Sequence, residues 1–540
     1  MGPAADVTDA AVAIVGNGPV GQTTALLLAR WGVPSVLLDR RPARDLIGSK
    51  AICQQRDVLD IWAAVGAGEQ IAAEGVTWTT ARTFHRDTEL FSYSFAESGR
   101  SAFPPFVNIS QSRTEEILDA AVAAEPLIDP RWNCPVTALE QDATGVTVSC
   151  AGGSRIRAGF AVLCAGSRCD ELRAGLGIGL HGHSFDDRFL ICDIRTELPG
   201  WATERRFYFD PSWNPGRQVL VHPCPDSTFR IDWQVPSSYD LDAEVASGQL
   251  DQRIRAVIGE RPYEIVWSSV YRFHSRCADR MRAGRVLLAG DAAHLVSPFG
   301  ARGLNSGVAD AENAAWKIAF VARGWAPEQL LESYHVERHA AARENLEITT
   351  ATMDFLVPQN ENQAAHRRDV LAAAATDPAA RARVDSGRLA EPFWYVDSPL
   401  TTPSPARPFA GRPARGAVPA AGPGILAPDG PVSAEPCSST AGHSRRFREL
   451  ARDGFLLLVT ADADVEAARQ AAAGCPAPAR VLELDKIDIT GALTAALAAR
   501  PREVWVIRPD AHVAAVLEQP TGPALETALR RALAALDPSG

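Results

Sequence analysis

The sequence predicts an α/β protein in which a mostly parallel sheet is interrupted by an antiparallel one and followed by a small C-terminal α/β unit. Three observations carry this. A strand–GxGxxG–helix–strand unit opens the chain, residues 176–279 alternate apolar and polar, and a Pro/Gly-rich stretch near 399–435 precedes a final segment of short apolar runs and Ala/Leu-rich helices. At 540 residues the chain is too long for one ordinary core.

The first unit is the most explicit. Ala11–Val15 ("AVAIV") reads as a short strand, "GNGPVG" as a tight turn, "QTTALLLARWG" as a helix stopping at Gly32, and "PSVLLDR" as a second strand. This is the Rossmann-like dinucleotide fingerprint in its required context. Gly16 permits the turn, Gly18 lets backbone approach a pyrophosphate, and Gly21 lets helix and strand pack closely. Pro19 suits a first helical turn, where its missing N–H is not needed. Asp39, 23 residues after Gly16, ends the second strand and can accept hydrogen bonds from an adenosine ribose. Arg40 beside it is included in the same site. A carboxylate there disfavours a 2′-phosphate, so the bound nucleotide is FAD or NAD. A second literal GxGxxG, at Gly177, Gly179 and Gly182, has neither a strand before it nor a helix after it, and reads as a loop.

Net charge is −11, which argues against a nucleic-acid partner. No apolar run approaches the roughly 20 residues that span a bilayer, and the N-terminus lacks the pattern of a signal peptide. The expectation is a cytoplasmic protein with no membrane partner. The ten cysteines include no C-x-x-C, so neither a metal site nor a dithiol motif is expected.

A second motif lies far downstream: "GDAAHLVSPFGARGLNSGVADAENAAWKI", Gly290–Ile318. The preceding "GRVLLA" is a strand, and Asp291 at its end suits a ribityl or ribose chain. Gly300 and Gly303 let a planar group lie against bare backbone, and a helix starts near Leu304. Its N-terminal amides favour negative charge, as on the N1–C2=O edge of a reduced flavin. The loop therefore takes the isoalloxazine of FAD, and the N-terminal cradle takes its ADP half. His294 reads as structural.

These residues, with "SYHVERH" further on, resemble the flavoprotein aromatic hydroxylases of the para-hydroxybenzoate hydroxylase type over roughly the first 400 residues. The segment "ERRFYFDPSWNPGRQVLVHPCPDSTFRIDWQV", with "SPFGARGLNSG", looks most like 3-(3-hydroxyphenyl)propionate or polyketide hydroxylases, and "VIRPDAHVA" looks like the thioredoxin-like C-terminal extension of phenol and polyketide hydroxylases. The resemblance implies non-covalent FAD, with NADPH or NADH as a transient reductant. It also implies O₂ as co-substrate and oxygen transfer from a flavin C4a-hydroperoxide to an aromatic small molecule. It places Gly16, Gly18, Gly21 and Asp39 on the ADP part and Gln111 on the flavin side. Asp291 falls at the ribityl chain, and Pro298, Gly303, Leu304 and Asn305 around the ring. One departure stands out. The family's CDG-type motif reads Cys164-Ala165-Gly166 here, with Ala165 in the acidic place and Asp170 nearby. Arg302, where many members have Gln, is expected to put a cation beside the flavin.

The organisation expected is an FAD-binding domain at 1–75, 105–175 and 280–330, with an inserted antiparallel-sheet substrate domain at 76–104 and 176–279. A helical segment (331–398), a linker (399–435) and a thioredoxin-like domain (436–540) follow, the last without a redox pair, since Cys437 and Cys475 stand apart. On the substrate sheet His222, Arg230, Asp232, Trp233 and Tyr271 are the candidate substrate contacts, although alternation alone does not say which face each takes. The expected function is hydroxylation of a phenolic or polycyclic aromatic, with a homodimer possible. The alternatives are Baeyer–Villiger or epoxidising oxygenation on the same scaffold, or a non-catalytic FAD-binding protein.

Overall fold

The computed structural model describes residues 7–45, 48, 51–94, 101–413, 417–433 and 445–536. Cys437 lies outside them.

The first sheet grows from the strand Val7–Val15, which pairs in parallel with Ser35–Leu38 on one side and Arg155–Leu163 on the other. Ile128–Arg131 and Val286–Leu288 extend it in parallel at either flank. Such strands are covered on both faces and so are almost wholly apolar, as "VLL" is throughout and "SVLL" is after its buried serine. Helix Pro19–Arg30 starts with proline in its first turn and stops before Gly32, which takes φ +68°. It packs against the 21-residue helix Arg302–Ala322.

The second sheet has eight strands, in the order 294–295, 264–278, 180–195, 228–235, 218–224, 204–209, 80–85 and 88–94. All its neighbours are antiparallel except Glu204–Phe209 with Thr80–His85. One face is sealed by helix Gln249–Ile258, whose Leu250, Ile254 and Ile258 join Leu190, Ile231 and Trp233 in a core. The other face turns toward the Pro298–Gly303 loop. Phe189, Phe207 and Phe273 pack around Phe299 there, with ring centroids 5.3, 6.3 and 6.0 Å away. The decoy glycines lead into this sheet: Gly182 lies within strand Leu180–Arg195, not at a helix start.

The sequence predicts a helical segment over residues 331–398. Helices Leu330–Leu356, Glu361–Ala374 and Pro378–Arg381 are present, but from 385 the chain is irregular. Gly387, at φ +95°, lets it fold over the Pro298–Gly303 loop, where the Ala390 N–H donates to the Gly300 carbonyl at 2.7 Å.

The C-terminal unit is a four-stranded sheet in the order 479–483, 455–459, 503–507 and 513–518. Its first pair is parallel and the other two antiparallel. Helix Val465–Ala473 bridges the parallel pair, and helix Gly522–Ala532 ends the unit. The Pro/Gly-rich stretch before it does not hang free. Residues 421–427 are buried, Gly424 donates to the Val513 carbonyl at 2.7 Å, and Tyr395 donates to Gly424 at the same distance. Proline and glycine leave the described part of this stretch only the two-residue strand Pro431–Val432, without excluding packing. Among the described residues no helix is long and apolar enough to cross a membrane.

Candidate functional site: a nucleotide cradle facing an antiparallel sheet

Val15 is level with Leu38 and Leu163, and Leu163 with Leu288, so four parallel strands end along one edge of the first sheet. The residues just past those ends are Gly16, Asp39, Cys164 and Ala289-Gly290. Ligands of open α/β sheets bind at such an edge. Gly16 sits at φ +112°, and a Cβ there would lie 2.3 Å from the Cys164 carbonyl oxygen. A Cβ on Gly21 would lie 1.9 Å from the Gly16 carbonyl oxygen, so both positions require glycine. Gly18 caps the helix, and nothing stands within 4 Å of where its Cβ would be. That open space before bare amides is what a pyrophosphate needs.

Asp39 accepts the Asn17 N–H at 3.0 Å and the Arg41 N–H at 2.8 Å, and Arg41 also grips it with its guanidinium. Burial alone would raise this carboxyl, but the Arg41 and Asn17 bonds hold it below the usual carboxylate range. Arg40 itself is exposed. The cations engaged at this end are Arg41 and Arg44, the latter bonded to the Asn17 carbonyl, Glu115 and Asp119. Sequence reasoning missed both, because only the fold returns 39–44 to Asn17 and to helix Gln111–Ala124. Gln111 lies in the first turn of that helix, accepting the Ala51 N–H at 3.1 Å and donating to Glu115 at 2.8 Å.

At the other end, Gly290–Ala292 forms a single 3₁₀ turn that presents Asp291 to solvent. The turn is fixed from beneath. Asp310 accepts the Gly290 N–H at 2.9 Å, His294 Nε2 lies 2.7 Å from it, and the buried Arg338 donates to it at 2.6 Å. Burial would raise Asp310, yet Arg338 and His294 hold it down at about 2. His294 is wholly buried in this support. Arg173, also buried, donates to the Ala292 carbonyl at 3.1 Å and pairs with Asp170. Asp170 therefore reaches the Asp291 turn through one guanidinium, while Ala165 lies between Cys164 and Gly166 at the strand ends.

In the loop, Pro298 is exposed, Leu304 is half-buried, and the nearest atom to a Cβ placed on Gly303 would be 3.8 Å away. Helix Arg302–Ala322 begins here, so its first amides open onto the same space. Asn305 is buried, donating to the Cys53 and Ala301 carbonyls and accepting the Gln55 N–H at 3.0 Å, which sets the loop against strand Cys53–Gln55. Arg302 is not beside the loop's open face. It is buried and donates to the Arg388 and Leu389 carbonyls and to Asn345, clamping the 387–390 segment. The long side chain turns inward because unpaired carbonyls await it there. With two end-of-strand aspartates, glycines that leave room and helix amides at both ends, the residues present fit FAD.

Of the sheet candidates, Trp233 is corrected by the structure. It points to the opposite face, wholly buried under helix Gln249–Ile258. His222, Arg230, Asp232 and Tyr271 share the loop-facing side with Phe189, Phe207 and Leu220, since residues two apart on a strand share a face. Arg230 donates to both oxygens of Asp193 at 2.8 and 2.9 Å. Arg205, buried nearby, donates to the Ser386 carbonyl at 3.2 Å. Asp193 and Arg205 were not singled out from sequence. A lone acid in "FLICDIR" was the available signal for the first; the second had none. Burial pushes Asp232 up to about 7 against the pull of Arg230, and burial with Arg205 and Arg230 holds His222 well below its usual value.

The profile of the family described as FAD binding domain matches residues 9–349. A 3-(3-hydroxy-phenyl)propionate/3-hydroxycinnamic acid hydroxylase of Mycobacterium sp. (strain JLS) is 29% identical over 376 residues. The match covers 69% of this chain and 65% of that relative, so the chain spans less than two thirds of its length. A rifampicin monooxygenase of Streptomyces venezuelae is 32% identical over 368 residues, 66% of this chain and 74% of its own. The solved structure of the flavin-dependent monooxygenase PieE in complex with FAD and substrate superposes with a TM-score of 0.84 at 22% identity, covering 99% of this chain and all of that one. With the Gly16–Gly21 turn, the Gly290–Ala292 turn and the Pro298–Gly303 loop all inside the matched span, the chain belongs to the FAD-binding domain family.

Proposed function

We propose that the protein is an FAD-dependent monooxygenase that uses NADH or NADPH and O₂ to hydroxylate a phenolic or polycyclic, polyketide-like aromatic. The observation that carries this is the loop-facing side of the second sheet. It is a wall of phenylalanines around Phe299 that becomes polar toward His222, Asp232 and Arg230, directly across from the loop that fits a flavin ring. An aromatic ring with a polar substituent suits that gradient. The names of the matched relatives, a hydroxylase of hydroxyphenyl acids and an antibiotic monooxygenase, support the reaction class.

Bound FAD supplies hydride acceptance and oxygen activation. The protein's residues do the rest. Gly16, Gly18, Pro19 and Gly21 with Asp39 hold the ADP half. Asp291 would hold the ribityl chain and Gln111 the flavin side, while Pro298, Gly303, Leu304 and Asn305 would border the ring. The sheet orients the aromatic and excludes water. The second GxGxxG leads into strand Leu180–Arg195 and not into a helix, which supports a nicotinamide that visits the flavin edge in place of a domain of its own. The strand order of the C-terminal unit supports reading it as thioredoxin-like, in a structural or assembly role, since Cys475 is half-buried and far in sequence from any partner.

The test is aerobic turnover of the FAD-loaded protein with NADH or NADPH against a panel of phenols and hydroxylated polycyclic aromatics. We expect a product heavier by one oxygen, with the new hydroxyl located on the ring by NMR. Ring-expanded lactones or epoxides would replace hydroxylation as the reaction. No oxygenated product across a panel spanning one to four fused rings would sink the reading.

A further inference from the structure

We propose that His222 and Asp232 form a specificity subsite that receives a neutral hydroxyl group of the aromatic substrate. This rests on the monooxygenase reading and goes further, naming the substituent recognised and the residues that recognise it.

The geometry starts from the sheet register. His222 pairs with Arg230, Arg230 with Asp193 and Asp193 with Trp267, forming one row across the loop-facing side. In the next row Asp232 pairs with Leu220 and Ile191, and Leu220 with Phe207. Asp232 therefore stands where the apolar wall around Phe299 meets the charged row. A further cluster holding Cys53, Trp78 and Phe106 packs against Cys224, on the same strand as His222, and against Ala301 of the Pro298–Gly303 loop.

The charged groups of this row are already engaged. Arg230 is taken by both oxygens of Asp193, and Arg205 by the Ser386 carbonyl. What remains is the pair itself. His222 Nε2 and Asp232 Oδ2 are 3.8 Å apart, too far for a hydrogen bond, while His222 Nδ1 and Asp232 Oδ1 are buried without a partner. Buried polar atoms left in this state are costly unless something arrives to bond them.

The chemistry of the pair selects the visitor. His222 is neutral, so its ring offers one donor and one acceptor. Burial raises the Asp232 carboxyl to about 7, so a proton is within its reach near neutrality and it too can donate or accept. A hydroxyl, which both donates and accepts, satisfies such a pair. A carboxylate only accepts, and it would lie beside Asp193 and Asp232 with no free guanidinium to neutralise it. An ether oxygen accepts one bond and adds a methyl group.

The experiment titrates the FAD-loaded protein with 2-naphthol, 2-methoxynaphthalene and 2-naphthoate, following the visible spectrum of the bound flavin. Wild type should bind 2-naphthol at least about tenfold more tightly than either analogue, the equivalent of about 1.4 kcal/mol. In Asp232→Leu and His222→Leu that preference should collapse to within about twofold, with 2-methoxynaphthalene binding little changed. Asp232→Asn, which still donates and accepts, should keep part of it. A purely structural role would weaken all three probes together. Equal binding of naphthol and its ether by wild type, tighter binding of naphthoate, or an undiminished preference in both leucine variants would each overturn the subsite. The wild-type comparison needs no variant, so the proposal can be refuted even where Asp232→Leu fails to retain FAD. The monooxygenase reading fails separately: hydroxyaromatics that bind with the expected preference but are never oxygenated would remove that reading and leave the subsite in place.

Discussion

Asp291 and Asp310 are two carboxylates on either side of one turn, with opposite duties. Asp291 faces solvent at the strand end, where the polyol of FAD would pass. Asp291→Ala removes a charge-assisted acceptor worth about 1.5–3 kcal/mol, so FAD affinity should fall tenfold or more. The purified variant should be nearly colourless, and full flavin occupancy would refute the assignment. Asp310 faces inward to Arg338, His294 and the Gly290 amide. Replacing one member of a buried ion pair leaves the other uncompensated, so Asp310→Asn should cost about 3–5 kcal/mol in chemical denaturation. The pH dependence has a definite sign. Asp310 is held at about 2, below its ordinary 3.8, so its contribution is complete above the ordinary value and is lost as pH falls toward 2. The asparagine variant lacks that acid limb, and its stability deficit should shrink as pH drops through this window.

Among elements, the C-terminal unit is joined to the nucleotide-binding part by charges largely shielded from solvent. Arg508 donates to both oxygens of Glu337 at 2.6 and 2.9 Å, and Glu337 also accepts from Lys317 at 2.6 Å. Arg452 donates to Glu312 at 2.7 Å and Asp60 at 2.8 Å. Arg508→Met leaves Glu337 with only part of its support and should cost about 3–5 kcal/mol, measured by urea denaturation of the FAD-loaded protein. A change below about 1 kcal/mol would show the junction to be ornamental. Little of this was legible in the sequence. The N-terminal fingerprint and the Gly290–Ile318 motif were, because local spacing alone fixes a turn, a strand end and a helix start. Trp233 and Arg302 were misplaced for a common reason. Alternation defines two faces of a strand and a helix start defines an origin, but distant elements decide which face is sealed and where a long side chain finds its carbonyls. The Pro/Gly-rich stretch shows the same limit, since composition reports what a segment cannot form and not what it touches.

For the whole molecule, one apolar core runs from Val12, Ile14 and Leu28 through Trp316 and Phe320 to Phe455, Leu457 and Val504 of the C-terminal unit. Phe320 and Phe455 meet with ring centroids 6.2 Å apart, and Trp316 Nε1 reaches Asp510 at 3.3 Å. The chain should therefore lose its nucleotide-binding and C-terminal parts together. Far-UV circular dichroism and tryptophan fluorescence should report coincident transitions on denaturation, whereas two separated transitions would show the C-terminal unit to be autonomous. A different consequence follows from Phe299. Its ring is lodged among Phe189, Phe207 and Phe273, while its neighbours Pro298 and Gly300 belong to the loop that fits the flavin. A latch of this kind transmits displacement in both directions, because close-packed rings move together or not at all. The colour of the bound cofactor then becomes a gauge of the sheet: trimming Phe207, four strands along from Glu264–Ala278, the strand that pairs with His294–Leu295, should register in the flavin spectrum before any substrate is added.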